Sequence, residues 1–273
     1  MVNSPTVSVV VTTHDSAAYV ADGLTSVLQQ TFQGFEIVVV DDASGDSTCD
    51  EVNRALQGRC RHRLIQLDRN TGGPATPRNI GIQHAMGHWV ALLDSDDVWH
   101  PQKLELELEA AGHAEARFVS SEKRWFRSFG ATVARAAERF SPTGHPQRQV
   151  THAQLQRKNF LCTSSVLAER ELLLRHPFNP DPAYRAVEDY RCWLDVHRES
   201  IRESPQILTP LVFYRVSCGS ISGSKLTMVR RHWRLYRDYF RGHPFGPLQV
   251  IASIGTYGFA SIYRQLKYRR SRC

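Results

Sequence analysis

The first hundred residues alternate between short apolar runs and stretches in which apolar positions recur at helical spacing. Val7–Val11 is a β-branched run broken only by Ser8, as expected of a strand buried on both faces. Residues 16–31 place Val20, Leu24, Val27 and Leu28 on one helical stripe. Ile37–Val40 reads as a second buried strand. Thr48-x-x-Glu51 has the spacing of a capping box, and the helix it would open carries Val52, Ala55 and Leu56. Leu64–Leu67 reads as a third strand. Gly72-Gly73-Pro74 then breaks the chain, and Thr76-Pro77 predicts an N-cap followed by proline at the first helical position. Trp89–Leu93 is a fourth strand. Four strands separated by three helices predict a doubly wound parallel sheet, which binds ligands beyond the carboxyl ends of its strands.

The second half is less periodic. Phe118–Ser121, Cys162–Ala168 and Ile207–Val216 read as strands, and Ala186–Ser200 as a helix with Val187, Tyr190, Leu194 and His197 on one side. Residues 127–149 are polar and basic with two prolines, which predicts a mobile loop. No clean linker divides the chain. The expected organisation is one domain over 1–224 and a basic helical segment over 225–273. Within the domain, 1–110 would bind the ligand and 111–224 would complete the site.

Charge sharpens that division. The 273 residues carry a formal net charge of +7. Residues 225–273 hold eleven Lys/Arg against one acid, Asp238, a net of +10, while 1–224 hold 23 bases against 26 acids, a net of −3. A basic tail favours an anionic partner. Pro244–Tyr263 is a run of twenty uncharged residues flanked by basic ones, long enough to cross a bilayer. Its polar and glycine content predicts instead a helix lying in the membrane interface, with an ordinary packing helix as the alternative. Trp233, Tyr236, Tyr239 and Phe240 fit a core-facing helical stripe better than the interleaved aromatics of a single-strand binder, so no nucleic-acid partner is expected. Six scattered cysteines without a CxxC pair, and an N-terminus without a basic stretch before an apolar core, are read as a cytoplasmic chain without a secretory signal.

The candidate chemistry is carboxylate chemistry. Asp41-Asp42 and Asp94-Ser95-Asp96-Asp97 follow the second and fourth predicted strands. Acids on two edges of one cleft repel each other unless a cation or hydrogen-bond donors lie between them. In an extended segment Asp94 and Asp96 would point the same way, toward one hard cation. The competing reading makes these aspartates turn-formers and helix caps. A P-loop G-x-x-x-x-G-K-[ST] and a dinucleotide G-x-G-x-x-G are both missing, which argues against a P-loop nucleotidase and a dinucleotide-dependent oxidoreductase.

Taken in order, several stretches resemble glycosyltransferase family 2. They are Val7–His14, Val27–Phe32, Glu36–Asp46, Gly72-Gly73 with Arg78–Gly81, Leu93–Trp99, Thr163–Leu167, Val187–Leu194 and Phe213–Arg215. The resemblance implies a GT-A type, Rossmann-like α/β fold with a mainly parallel sheet flanked by helices. It also implies a nucleotide-diphospho-sugar donor, a Mn²⁺ or Mg²⁺ cofactor and inversion at the anomeric carbon. Carried across, Thr12 and His14 would border the nucleobase and Asp42 would accept a hydrogen bond from it, with uridine favoured. Arg78 would lie near the base or the diphosphate. Asp94 and Ser95 would face the ribose and donor, Asp96 with Asp94 would hold the metal, and Asp189 of the Glu188-Asp189 pair would be the catalytic base. His14-Asp15 stands where the family often has Tyr-Asn, and Pro77 precedes Arg78 where a small residue is usual. No third metal ligand stands out; His197 and His232 are candidates by residue type alone.

The expected function is therefore sugar transfer from a nucleotide-diphospho-sugar to a hydroxyl of a glycan or glycolipid acceptor, as in cell-envelope polysaccharide or lipopolysaccharide synthesis. The expected site of action is the inner face of the cytoplasmic membrane. A sugar-phosphate nucleotidyltransferase is the first alternative, but Thr12–Ser16 is not the basic Gly-rich loop it needs. A non-catalytic nucleotide-sugar-binding relative is the second, against which the retained Asp42, Asp94, Asp96 and Asp189 speak.

Overall fold

A computed structural model describes residues 5–126, 144–216 and 225–241. In chain order the elements are β1 (Val7–Thr13), α1 (Val20–Leu28), β2 (Phe35–Asp41), α2 (Thr48–Leu56), β3 (His62–Gln66), α3 (Ala75–His84), β4 (Trp89–Asp94), β5 (Val98–Trp99), α4 (Lys103–Ala114) and β6 (Phe118–Phe126). There follow β7 (Gln147–Thr151), α5 (His152–Arg157), β8 (Val166–Glu169), α6 (Arg170–Arg175), α7 (Glu188–Glu199), β9 (Glu203–Arg215) and α8 (Lys225–Tyr239). Short 3₁₀ turns lie at Thr163–Ser165 and Pro182–Tyr184.

The sheet runs β3-β2-β1-β4-β8-β6-β9-β5, with β7 also on β9. The first four strands are parallel, as the alternating pattern predicts. Beyond β4 the sheet is mixed. The short β8 runs antiparallel to both β4 and β6, and β9 returns parallel to β6. Strands β1, β2 and β4 are buried on both faces because helices cover both. Val10, Val38, Val40, Val90 and Leu92 face a layer built from α3, α7 and α8. The intervening Val9, Val11, Ile37, Val39, Ala91 and Leu93 face α1, α2 and α4. This two-sided burial explains why the runs are apolar throughout rather than alternating. Helix α3 lies so close to β1 that a Cβ at Gly81 would fall 2.4 Å from Val10 Cγ1.

Several local expectations are corrected. The Thr48-Glu51 capping box does not form: Ser47 precedes the helix, and Asp46 Oδ1 accepts from Thr48 N–H (2.9 Å). A capping box occurs instead at Thr151/Gln154, where both reciprocal bonds are made. Thr76 is not an N-cap, since α3 already begins at Ala75 after Pro74. Gln147–Gln149, read as loop, belong to β7, whose extended backbone is completed by pairing with distant β9. The strand expected at Cys162–Ala168 starts only at Val166, because Thr163–Ser165 close a 3₁₀ turn.

Helix α8 packs Leu235, Tyr236, Tyr239 and Phe240 into the same core as α7, as its stripe predicts, and leaves Trp233 outward. Among the described residues no helix is long and apolar enough to cross a membrane. The uncharged run 244–263 and most of the loop 127–149 lie outside the described residues.

Candidate active site

The loops that leave β1, β2 and β4 meet at one end of the sheet, and their polar side chains tie them together. After β1 the backbone turns through Asp15 with φ +47°, and after β2 through Ala43 with φ +55°. These left-handed positions disfavour a side chain, so the surrounding bonds must hold them. Asp15 N–H donates to Ser44 Oγ (2.9 Å), Gly45 N–H to Asp15 Oδ1 (2.8 Å), and Ala17 N–H to Asp46 Oδ2 (3.1 Å). Ser16 and Ser95 hydroxyls meet at 2.8 Å, linking the first loop to the acid-rich turn after β4.

Within each acid pair the two members do different work. Asp41 is buried and structural: its carboxylate accepts from Thr13 Oγ1 (2.7 Å), Ser44 Oγ (2.5 Å) and Ser44 N–H (2.9 Å). Asp42 lines the cleft and accepts from Thr71 N–H and Thr71 Oγ1. Asp97 is buried, accepting from Ser164 Oγ (2.6 Å) and Arg215 N–H (3.1 Å). Burial, then Asp96 and Asp94, hold its carboxyl well above the usual carboxylate range. Asp94, Ser95 and Asp96 line the cleft. They do so on a turn closed by Asp97 N–H on the Asp94 carbonyl (3.0 Å), not on the extended segment the spacing suggests. Burial, then Asp94, push the Asp96 carboxyl up to about 6, with Arg215 pulling the other way. Arg215 Nε also donates to the Asp96 carbonyl (2.8 Å) and its Nη2 to Asp22 (2.9 Å), fixing the back of this turn.

Arg78 joins the donor-side acids to the second acidic cluster. It is 4% exposed, and from the buried face of α3 it donates to Asp94 Oδ1 (2.6 Å) and to Glu188 Oε1 (2.8 Å). Burial works against its charge, but Asp94, Glu188 and Asp189 together raise its affinity for the proton. One guanidinium thus lies among three carboxylates that are 95 residues apart in sequence at the extremes, Asp94 at the end of β4 and Glu188-Asp189 in the first turn of α7. Asp189 Oδ1 accepts from Tyr190 N–H (2.6 Å) and Oδ2 from Thr163 Oγ1 (3.3 Å). Burial, then Glu188, push its carboxyl up to about 7 against the pull of Arg78. A carboxylate poised near neutrality suits general-base work.

The cleft-lining members of these groups share one cavity of about 970 Å³. Thr12, His14, Asp42 and Asn70 line one end; Asp94, Ser95, Asp96, Glu188 and Asp189 line the middle. Asn70 Nδ2 lies 2.9 Å from His14 Nε2, and Gly72, with φ +86°, turns the chain into α3. The sequence-predicted site residues are therefore brought together. His197 and His232 are not. His197 Nδ1 sits on the Trp193 carbonyl (2.8 Å) and Nε2 on Ser204 Oγ (2.9 Å), in the core, where burial lowers its pKa to about 4. His232 Nδ1 bonds the Met228 carbonyl (2.9 Å) within α8, and neither histidine lines the cleft. Among the described residues no group of three His, Cys, Asp or Glu side chains is arranged to hold a metal. Lys123, Asn159 and Arg185 also line the cleft, and no motif singled them out. Tyr214 lines it too; its sole sequence signal was its place in Phe213-Tyr214-Arg215.

Residues 8–173 match glycosyl transferase family 2. The chain belongs to this family. It is accordingly a transferase enzyme, and its mixed sheet with flanking helices is the GT-A fold. Over 239 residues it is 28% identical to the glycosyltransferase TuaG of Bacillus subtilis, named for teichuronic acid biosynthesis, covering 88% of this chain and 90% of TuaG. It is 26% identical over 236 residues to Escherichia coli WfgD, a UDP-Glc:alpha-D-GlcNAc-diphosphoundecaprenol beta-1,3-glucosyltransferase, covering 85% and 86%. Two solved structures share the fold. Staphylococcus aureus TarS 1-349 with UDP-GlcNAc superposes with a TM-score of 0.68 at 19% identity, over 97% of this chain and 74% of TarS. The mannosyltransferase PcManGT of Pyrobaculum calidifontis, with GDP-Man and Mn²⁺, superposes at 0.64 and 21% identity, over 97% and 76%.

Proposed function

We propose that this enzyme is an inverting, metal-dependent glycosyltransferase. It would move a sugar from a nucleotide-diphospho-sugar, UDP-sugars favoured, to a hydroxyl of a glycan or glycolipid acceptor of the cell envelope. The observation that carries the proposal is the pairing, across one cleft, of a carboxylate held near neutrality (Asp189) with the Asp94/Asp96 turn at the strand ends. The UDP-GlcNAc and GDP-Man bound by fold relatives, and the diphosphoundecaprenol-linked acceptor in the name of WfgD, support the substrate classes.

Thr12, His14 and Asp42 would receive the nucleoside. Asp42 is oriented for this by its two bonds from Thr71. The acceptor hydroxyl would give its proton to Asp189 as its oxygen attacks the anomeric carbon. The glycosyl C–O bond breaks on the opposite face, and its electron pair leaves with the diphosphate. A single displacement inverts the centre, and general-base help of this kind typically contributes about 10²–10⁴-fold. Arg78 pairs with Asp94 and Glu188, whereas Asp189 makes no ion pair among the described residues.

The residues present fit a hard divalent cation. Asp94 and Asp96 are both oxygen donors on one turn that lines the cleft, and each adds to the negative charge around the other. Mg²⁺ or Mn²⁺ can be held by one or two carboxylates with diphosphate oxygens and water completing the shell, so a third protein ligand is not required. When bound, the cation would neutralise charge gathering on the departing diphosphate.

An anionic membrane surface is the proposed setting. The outward face of α8 carries Arg230, Arg234 and Arg237 around the exposed Val229 and Trp233, a basic face with an aromatic anchor. The enzymatic reading is tested by a nucleotide-sugar panel scored by thermal shift with and without Mn²⁺, followed by NMR of the product's anomeric configuration. A UDP-sugar that stabilises only with Mn²⁺ and yields an inverted glycoside is expected. Release of pyrophosphate from a nucleoside triphosphate and a sugar phosphate would instead make the enzyme a nucleotidyltransferase.

A further inference from the structure

Strands β6 and β9 extend past the short β8 and stand as a wall beside the acid turn. Ala91 of β4 and Ser120 of β6 flank adjacent β8 residues, Leu167 and Val166, so Asp94 and Lys123 lie at about the same height, two strands apart. Trp125 pairs directly with Tyr214 across the β6–β9 ladder and shares a face with Lys123 two residues before it. The indole and phenol meet edge to face, with centroids 4.9 Å apart. Lys123 Nζ lies 5.0 Å from the centroid of Trp125 and 4.4 Å from that of Tyr214. Lys123 and Tyr214 line the cleft, and Trp125, in contact with both, is 48% exposed.

Two features separate this cluster from an ordinary core contact. Trp125 is half open to solvent, which leaves part of its ring surface available to a ligand. And Lys123 makes no ion pair among the described residues, although the cleft is rich in carboxylates, whereas Arg78 is committed to Asp94 and Glu188. The end of the cleft proposed for the nucleoside lies at β1 and β2, on the other side of the β4 turn in the strand order.

We propose that Trp125, Tyr214 and Lys123 form an acceptor subsite that takes a saccharide bearing a negative charge, the sugar's C–H face on the indole and its anionic group at Lys123. The inference rests on the glycosyltransferase reading, and it adds the side of the cleft and the chemistry of the acceptor. The negatively polarised ring face attracts the C–H edges of a pyranose, and the ammonium, with no carboxylate of its own, supplies the charge partner. A phosphate ester and a uronate carboxylate share this chemistry.

The test uses the full chain with UDP and Mn²⁺ saturating, titrated by saturation-transfer NMR with methyl β-glucoside, methyl β-glucuronide and glucose 6-phosphate. The expected result is that at least one anionic sugar binds about tenfold or more tighter than the neutral glycoside. Lys123→Gln should abolish that preference, and Trp125→Ala should weaken all three sugars about tenfold. UDP affinity should stay within about twofold in both variants, and Trp125→Phe should restore part of the binding. Preference for the uronate alone or the phosphate alone names the acceptor's charge. Equal binding of all three sugars by the wild type, or variants indistinguishable from it, overturns the subsite. Loss of UDP affinity in Lys123→Gln overturns it too, by assigning Lys123 to the donor. If the wild type binds no nucleotide, the donor reading fails separately, and the same sugar titration without UDP still decides the subsite.

Discussion

Replacing Asp189 by asparagine should make the enzyme more stable and nearly inactive. The carboxyl is held at about 7 by burial and by Glu188, against 3.8 for a free aspartate. Keeping it ionised inside the fold above pH 7 therefore costs about 4 kcal/mol. The amide carries no charge; its one oxygen can still accept from Tyr190 N–H, and its NH₂, in place of Oδ2, can donate to Thr163 Oγ1. Its new N–H₂ donors must find partners, which takes back about 1–3 kcal/mol. The net gain at pH 8.5 is on the order of 1–3 kcal/mol, or about 2–4 °C in Tm per kcal/mol for a chain of this size class. The sign follows from proton binding. Below 3.8 both states of the wild type are protonated and its stability is undiminished. As pH rises the unfolded chain releases the proton first, so stability falls until the folded carboxyl ionises near 7. The Tm difference between variant and wild type should thus grow from pH 4 to 7 and level off above. Scanning fluorimetry of both proteins from pH 4 to 9 measures it. Sugar transfer at saturating donor should fall at least about a hundredfold while donor binding persists. A Tm difference that is flat with pH, or negative at pH 8.5, refutes the electrostatic account. Turnover close to wild type removes Asp189 from the base role.

Further outcomes follow from other residues. Asp96→Ala should abolish Mn²⁺-dependent donor binding in calorimetry, and EDTA should silence the wild type; activity that survives EDTA refutes the metal. Arg78→Met strips the guanidinium from Asp94 and Glu188, and should destabilise the fold by about 3–5 kcal/mol in urea titrations at pH 8. Gly81→Ala puts a methyl 2.4 Å from Val10 Cγ1, and should lower stability by about 1–3 kcal/mol while leaving donor affinity per folded molecule unchanged. Reversing Arg230, Arg234 and Arg237 to glutamate should release the full chain from phosphatidylglycerol vesicles in a sedimentation assay; unchanged partitioning would move the membrane contact elsewhere.

What the sequence determined is whatever depends on near neighbours along the chain. Buried parallel strands announce themselves as apolar runs because both faces are covered, which makes β1, β2 and β4 legible; the half-exposed edge strand β3 shows only through Leu64 and Ile65. Their shared polarity then located the cleft at the carboxyl ends, and with it Asp42, Asp94 and Asp96. The cap at Thr48 is lost because its hydroxyl serves a distant loop, Ser16 N–H donating to Thr48 Oγ1 (2.7 Å), and that at Thr76 because the helix already begins at Ala75 after Pro74. The tertiary structure alone decided that Asp41 and Asp97 serve the fold while their neighbours face the cleft. A side chain's partners across the sheet, not its spacing, make that division. The same holds for Arg78 amid three carboxylates, for the neutral poise of Asp189, and for the wall of Lys123, Trp125 and Tyr214. Burial and cross-strand register set each of these, and both arise only when segments far apart in the chain are packed together.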